Sequence, residues 1–407
     1  MNPRYLIAAA MIILPPVIVA SMPSVRERIL NPAAASVDSS VSKDLHPMAE
    51  EQPASAGLPL QQAIDRLDFL NDPKAGDTFK AIVQSRLRKE EFEALEALAA
   101  RYRDGKERLP GGGWKLEALV SDLMEHPMGM DAPEAQWKIH LDRLELWSRS
   151  QPFSMTAPVV HAGAWAKYAW KARGNGYANT VTQRGFNLFE ERLAKARLIL
   201  NEAIQGGRPR CPSWYARMQT VALGQGWDRA EYDHLFDAAV AQEPLYRAFY
   251  TSKAYFLMPK WHGEEGDWEA FAKEACDKLG AEDGDEMYYY ITYQQGESYD
   301  AKPFLARPGF SWERMKRGFW VAQSRHGLIS SQTNQHGVYT NEACDQAEAK
   351  KVIALIGTHW EPYYWNGKAG FDRWAAWANG PLDETTPQPS QSADPSQGTL
   401  GAQASQR

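Results

Sequence analysis

The sequence predicts an all-α protein: an irregular tetratricopeptide-like helical repeat, or α-solenoid, with an apolar N-terminal helix and a disordered tail. Three observations lead there. Apolar residues from about 62 to 379 recur every three or four positions. No stretch alternates in the manner of a half-buried strand with hairpin turns. Short Gly/Pro turns cut the pattern into helix-length segments. Composition agrees. All 15 Trp of the 407 residues lie between Trp114 and Trp377, whereas 12 of the 25 Pro fall in 1–60 and 381–407. A Trp-rich middle, long enough for one large domain or two ordinary ones, is thus flanked by two Trp-free ends. The 44% hydrophobic and 24% charged content is that of a globular chain, and a net charge of −6 argues against nucleic acid as a partner.

Residues 1–25 come first. Tyr5 to Val25 carries no charge, and Leu6 to Leu14 is strongly apolar before Pro15-Pro16 interrupts it. Such a stretch can span a bilayer if the prolines are tolerated as a kink. It also has the layout of a secretory signal, with Arg4 in front and a small-residue site at Ile18-Val19-Ala20. An uncleaved anchor, touching the membrane through residues 5–22, is the preferred reading. Arg4 against Arg26 and Arg28 does not fix its orientation. Residues 26–61, rich in Ala, Ser, Pro and Glu, read as a flexible tether, and 381–407 as a disordered tail of the same character.

Residues 62–380 form the expected helical-repeat domain. Stripes run through Phe92, Leu95, Leu98 and Tyr102, through Leu116, Leu119, Val120, Leu123 and Met124, and through Trp137, Leu141, Leu144 and Trp147. The longest joins Phe189, Leu193, Ala196, Leu200 and Ala203, and Trp312, Met315, Phe319 and Trp320 continue the pattern. Tyr288 to Tyr293 is strand-like, but Asp283-Gly284-Asp285-Glu286 before it resembles a helix cap, so a helix is expected there too. Asp228 with Glu231 fits a capping box. Gly174 and Gly176 close the helix ending at Arg173, and Gly206-Gly207 the one ending at Ile204.

A degenerate repeat supports stacking. Phe236, Ala239 and Pro244 fit the later positions of a tetratricopeptide helix pair, and Tyr250 and Leu257 those of the next. Trp268, Ala272 and Ala275 suggest another second helix, and Ala343, Ala347, Ala354 and Leu355 a small-residue helix near the end.

Specific strings add a resemblance. Leu257-Met258-Pro259-Lys260-Trp261-His262-Gly263 precedes Asp267-Trp268-Glu269-Ala270-Phe271-Ala272. With Tyr168-Ala169-Trp170-Lys171-Ala172-Arg173-Gly174-Asn175-Gly176-Tyr177-Ala178 and Gly111-Gly112-Gly113-Trp114-Lys115-Leu116, these resemble the bacterial domain of unknown function 4034 family. The resemblance spans roughly 75–370. It implies a tetratricopeptide-like repeat in a bacterial protein and brings no activity with it.

No nucleophile elbow, P-loop or H-E-x-x-H is present. Gly111-Gly112-Gly113 lacks the Lys-Ser/Thr of a P-loop and reads as a tight turn entering a helix. His262, Glu264, Glu265 and Asp267 are the densest metal-capable cluster, but Asp267 is placed to cap a helix, and no metal or other cofactor is expected. Asp283, Asp285 and Glu286 lack the order of a calcium loop. Gln332-Thr333-Asn334-Gln335-His336-Gly337, with Tyr339 and Asn341, is expected to be an exposed loop; paired with His326 it would line a site. Glu90-Glu91 and Glu190-Glu191 are expected on solvated helix faces. Cys211, Cys276 and Cys344 form no disulfide framework and read as buried free thiols.

Most Trp are expected to be core knobs. His359-Trp360-Glu361-Pro362-Tyr363-Tyr364-Trp365 is too dense for every ring to be buried on one face. Trp360, Tyr363, Tyr364 and Trp365 are therefore the candidate binding surface, with no catalytic residues assigned. The expected function is that of a non-catalytic scaffold for a protein or peptide partner. It would sit at the bacterial cell envelope, anchored in the inner membrane facing the periplasm or exported. The alternative is an envelope enzyme or carbohydrate-binding module using aromatic and acidic groups. A deep pocket joining His326 or His336 with a carboxylate would favour the enzyme; a shallow aromatic groove would favour the scaffold.

Overall fold

A computed structural model describes residues 59–174, 180–205, 210–296 and 304–381. The apolar segment, most of the tether, Gly176, Gly206-Gly207 and nearly all of the tail lie outside the described residues. Within these, the chain is all-helical. It begins with α1 (Leu60–Asp65), α2 (Ala75–Arg88), α3 (Phe92–Gly105), α4 (Lys115–Met124), α5 (Glu134–Ser150) and α6 (Thr156–Arg173). The middle holds α7 (Gln183–Ala203), α8 (Pro212–Gln225), α9 (Arg229–Gln242), α10 (Arg247–Phe256), α11 (Asp267–Leu279) and α12 (Ala281–Gly296). A 3-10 turn at Phe304–Ala306 precedes α13 (Trp312–His326), α14 (Ser330–Glu342), α15 (Gln346–Ile356), α16 (Pro362–Trp365) and α17 (Lys368–Asn379). Among the described residues, no helix is long and apolar enough to cross a membrane.

The helices pack in two rows. α2, α4, α6, α8, α10 and α12 each touch the next member of one row. α5 and α7 lie on α6, α9 on α8 and α10, α11 on α10 and α12, and α13 on α12. This neighbour-on-neighbour order is consistent with an α-solenoid. α6 explains its own composition: it is enclosed by α4, α5, α7 and α8, so Ala162, Gly163, Ala164, Ala166 and Ala169 are all buried. A side chain at Gly163 would meet Met124 of α4 and Arg217 of α8. Small residues let four helices approach one axis.

The predicted stripes form the core, with Leu95, Leu98, Leu119, Leu123, Trp137, Leu144, Trp147, Leu193, Leu200, Met315 and Phe319 all buried. None of the 15 Trp is exposed. Asp228 caps α9 by accepting from Glu231 N at 2.8 Å, Gly174 follows α6 with φ 69°, and Tyr288 to Tyr293 is helical within α12.

Several expectations are corrected. The polar run 332–337 is not an exposed loop but the buried part of α14. Ala347 and Ala354 do not supply the packing face of α15; Glu348, Ala349, Val352 and Ile356 do. Asp267 is the first residue of α11 and does not cap it; its carboxylate accepts from Glu264 N at 3.1 Å and pairs with Arg229 at 2.8 Å. Glu90 sits in the α2–α3 turn with φ 58°, not on a helix face, while Glu190 and Glu191 are solvated on α7. Cys211 and Cys276 are buried thiols, but Cys344 is exposed.

Candidate functional site

The turn between α3 and α4 shapes a recess lined largely by charged side chains. Gly111 and Gly112 adopt φ 81° and 74°, which allows the chain to double back before α4. An added Cβ at Gly112 would run into the Tyr290 hydroxyl. The turn is tied to distant elements: Gly111 N donates to Gly327 O at 2.6 Å, and Gly111 O accepts from Arg247 at 3.0 Å and from Gln332 at 3.3 Å. Trp114 Nε1 donates to Leu245 O at 3.2 Å. This turn therefore enters a helix, as predicted, and two of its N–H groups are already committed, since Gly112 N donates to Leu109 O.

Beneath the turn lies a recess of about 120 Å³, lined by Arg108, Arg247, Glu286, Tyr290, Arg325 and His326 among others. Glu286 of α12 accepts from His326 Nε2 at 3.0 Å and from Arg325 at 2.7 Å. Burial works to raise the Glu286 pKa, but His326 and Arg325 outweigh it and hold the carboxyl below its ordinary value. Arg108 lies 3.6 Å over the Trp114 ring and Arg247 4.7 Å over the Tyr290 ring. Burial, then the neighbouring Arg247, pushes Arg108 down to about 10, which still leaves it charged at neutral pH.

His326 thus meets a carboxylate in a recess, whereas His336 does not share it. His336 is buried between Phe319, at 3.8 Å, and Trp312, at 5.1 Å, with Glu348 3.5 Å from Nε2. Burial lowers its pKa against the opposing pull of Glu348. It is a packed core histidine.

The predicted aromatic surface is split. Trp365 is only 7% exposed and belongs to the core, its ring tilted against Trp374 at 4.4 Å and its indole N–H donating to Asn334. Trp360 is half-buried against Phe371, and Tyr364 is half-buried. Tyr363 alone is open, at 87%. Density in sequence did not mean one shared face: α16 is a single turn whose four residues point in different directions.

The metal-capable clusters are dispersed into other roles. His262 Nε2 donates to Leu223 O at 3.2 Å, and its ring stacks on Phe256; Glu265 pairs with Arg307 at 2.9 Å. Asp283 pairs with Arg325 and Asp285 with Arg314 and Arg317. Among the described residues, no three His, Cys, Asp or Glu gather into a metal-holding group. A larger groove of about 620 Å³ opens between α11, α12 and α13. Its charged groups are all paired within the groove: Arg314 with Asp277 and Asp285, Lys273 with Asp277, and Arg317 with Asp285.

On the outer row, α5 carries Ile139 and Leu146 facing solvent, and Phe153 just beyond the helix is 92% exposed. The three are seven residues apart, so on α5 the first two share a face. Lys138–Asp142 and Glu145–Arg149 pair along the same helix.

No protein-family model, curated protein or solved structure matches this chain.

Proposed function

We propose that the chain is a non-catalytic scaffold, built of tetratricopeptide-like helix pairs, that holds a protein or peptide partner at the bacterial cell envelope. The single observation that carries the reading is the exposed apolar strip Ile139, Leu146 and Phe153 on the outer row of stacked helices. Large apolar side chains left in water on a repeat array are the material of a contact surface. The repeat assignment draws support from Phe236, whose ring meets Tyr250 and Phe271 at 5.3 Å each, as the expected knobs of adjacent pairs. α10 starts at Arg247 and α12 at Ala281, the spacing of one 34-residue repeat. Kinship with the domain of unknown function 4034 family rests on the strings that resemble it. The envelope location rests on the apolar segment at residues 5–22.

A second reading, the envelope enzyme or carbohydrate-binding module, is favoured by Glu286 and His326 in one recess. Against it stands size: small-molecule sites run to about 300–1,000 Å³, and this recess holds about 120 Å³. Glu286 and His326 are also spent on each other and on Arg325. The test is a pull-down with the full chain from detergent-solubilised envelope extracts, beside a metal analysis. The scaffold reading expects a specific, stoichiometric partner and no bound metal. An empty pull-down with stoichiometric metal contradicts it, and a product found wholly in the cytosolic fraction removes the envelope location.

A further inference from the structure

We propose that the recess under the α3–α4 turn binds a compact oxyanion, a carboxylate or phosphate group, between the guanidinium groups of Arg108 and Arg247. This site is independent of the partner surface on α5.

The charge balance around the recess points to it. The two carboxylates that line the recess, Asp283 and Glu286, are both held by Arg325, which also reaches Glu282, with His326 also on Glu286, and nearby Glu243 pairs with Lys106 at 2.7 Å. Among the described residues, neither Arg108 nor Arg247 has a carboxylate within ion-pair distance, although Glu243 and Glu286 lie near enough to act on Arg108. Arg108 makes only long contacts, 3.5 Å to Gly112 O and 3.4 Å to Leu245 O, and Arg247 makes one good bond, to Gly111 O. Each guanidinium offers five N–H donors, so most remain for a ligand. Two like charges held side by side and partly out of water repel each other, and an anion between them removes that repulsion.

The two groups are also held in place before any ligand arrives. Trp114 carries the Arg108 guanidinium and Tyr290 that of Arg247. A third donor completes the set. Tyr290 is 4% exposed, lines the recess, and its hydroxyl makes no hydrogen bond of normal geometry although Glu286 lies beside it. The hydroxyl faces the Glu286 carboxylate, and an anion oxygen entering the recess would compete with that carboxylate for its proton. The volume fits an anion headgroup and little more. The planar fork of arginine suits carboxylate and phosphate oxygens alike.

The experiment is isothermal titration of the full chain with sodium phosphate and, separately, sodium acetate, at ionic strength matched with sodium chloride. Arg108→Gln and Arg247→Gln are titrated in parallel, with circular dichroism to check the fold, and Tyr290→Phe serves as a milder variant. Binding of at least one oxyanion to the wild type, weakened about tenfold or more in either Arg variant and less in Tyr290→Phe, is the expected result. Which anion binds more tightly separates a carboxylate site from a phosphate site. No heat above the chloride control overturns the proposal. So does equal binding by wild type and all folded variants, which would mean general attraction to surface charge.

Discussion

Trp365 donates its indole N–H to Asn334 Oδ1 at 2.6 Å inside the core. The same Asn334 accepts from Glu361 N at 3.1 Å and donates to His359 O at 2.9 Å and Ser330 O at 2.8 Å. One amide on α14 thus fixes the whole 359–365 segment. Asn334→Ala should cost about 3 kcal/mol, because it leaves a buried indole N–H and a backbone N–H without acceptors. Trp365→Ala should cost about 3–5 kcal/mol by emptying the site against Trp374. Tyr363→Ala, open to solvent, should stay within about 0.5 kcal/mol. Urea unfolding of the three variants checks the order; equal losses for Tyr363→Ala and Trp365→Ala would contradict it.

The aromatic crowding of 359–365 was plain in the sequence, but its partition was not. Helix stripes such as Phe92 to Tyr102 announce their buried face through apolar spacing. α14 gives no such signal, since all but Gly337 and Tyr339 of its buried positions are polar: Gln332, Thr333, Asn334, Gln335, His336 and Thr340. A polar helix inside a core looks like a loop until its partners are found, and Asn334 finds three of them, one acceptor and two donors, 25, 27 and 31 residues away. The recess was legible only in fragments. His326, Glu286, the glycine turn and the Tyr288–Tyr293 run each stand out in the chain, but Arg108 and Arg247 do not, because no spacing links four different elements that meet only on folding.

The glycine turn gives a sharp test of that meeting. Gly112→Ala requires a side chain at φ 74° and pushes it into Tyr290. A loss of about 2 kcal/mol is expected, with a lowered melting temperature. Gly129→Ala, also at positive φ (78°) but with open space around it, should cost less, about 1 kcal/mol. Equal effects would mean that the turn does not press on α12.

Acid sensitivity should trace in part to His140 and His161. Burial lowers each to about 4, from an ordinary value of 6.5. The folded state therefore resists a proton that the unfolded chain accepts. The stability from each neutral ring is present above pH 6.5 and is lost as pH falls toward 4. Asp122, raised by burial to about 7, runs the other way over much of that range, so the wild-type slope is a difference. His140→Gln isolates one contribution: relative to wild type it should gain stability between pH 6.5 and 4, by up to about 3 kcal/mol at the acid end. Parallel stability curves for the two proteins would rule this out.

Glu269 and Arg307 form a buried pair at 2.5 Å, joining α11 to the segment before α13. Burial raises the Glu269 pKa against the pull of Arg307. Arg307→Met should cost about 3–5 kcal/mol at pH 7 by stranding the carboxylate. Without its cation, Glu269 rises further, so the folded variant prefers the protonated acid. Its deficit should shrink as pH is lowered and grow as pH is raised through that value. Arg307→Met with Glu269→Gln should recover part of the loss at pH 7, and thermal melts at pH 5 and pH 7 read both effects.

The scaffold account is tested most directly by placing a photo-crosslinking residue at Leu146, at Phe153 and, for comparison, at Tyr363, in the full chain within envelope preparations. A discrete crosslinked partner at 146 and 153, weak or absent at 363, is the predicted result. Crosslinking at 363 alone, or at none of the three, would contradict the assignment of the α5 strip as the contact surface.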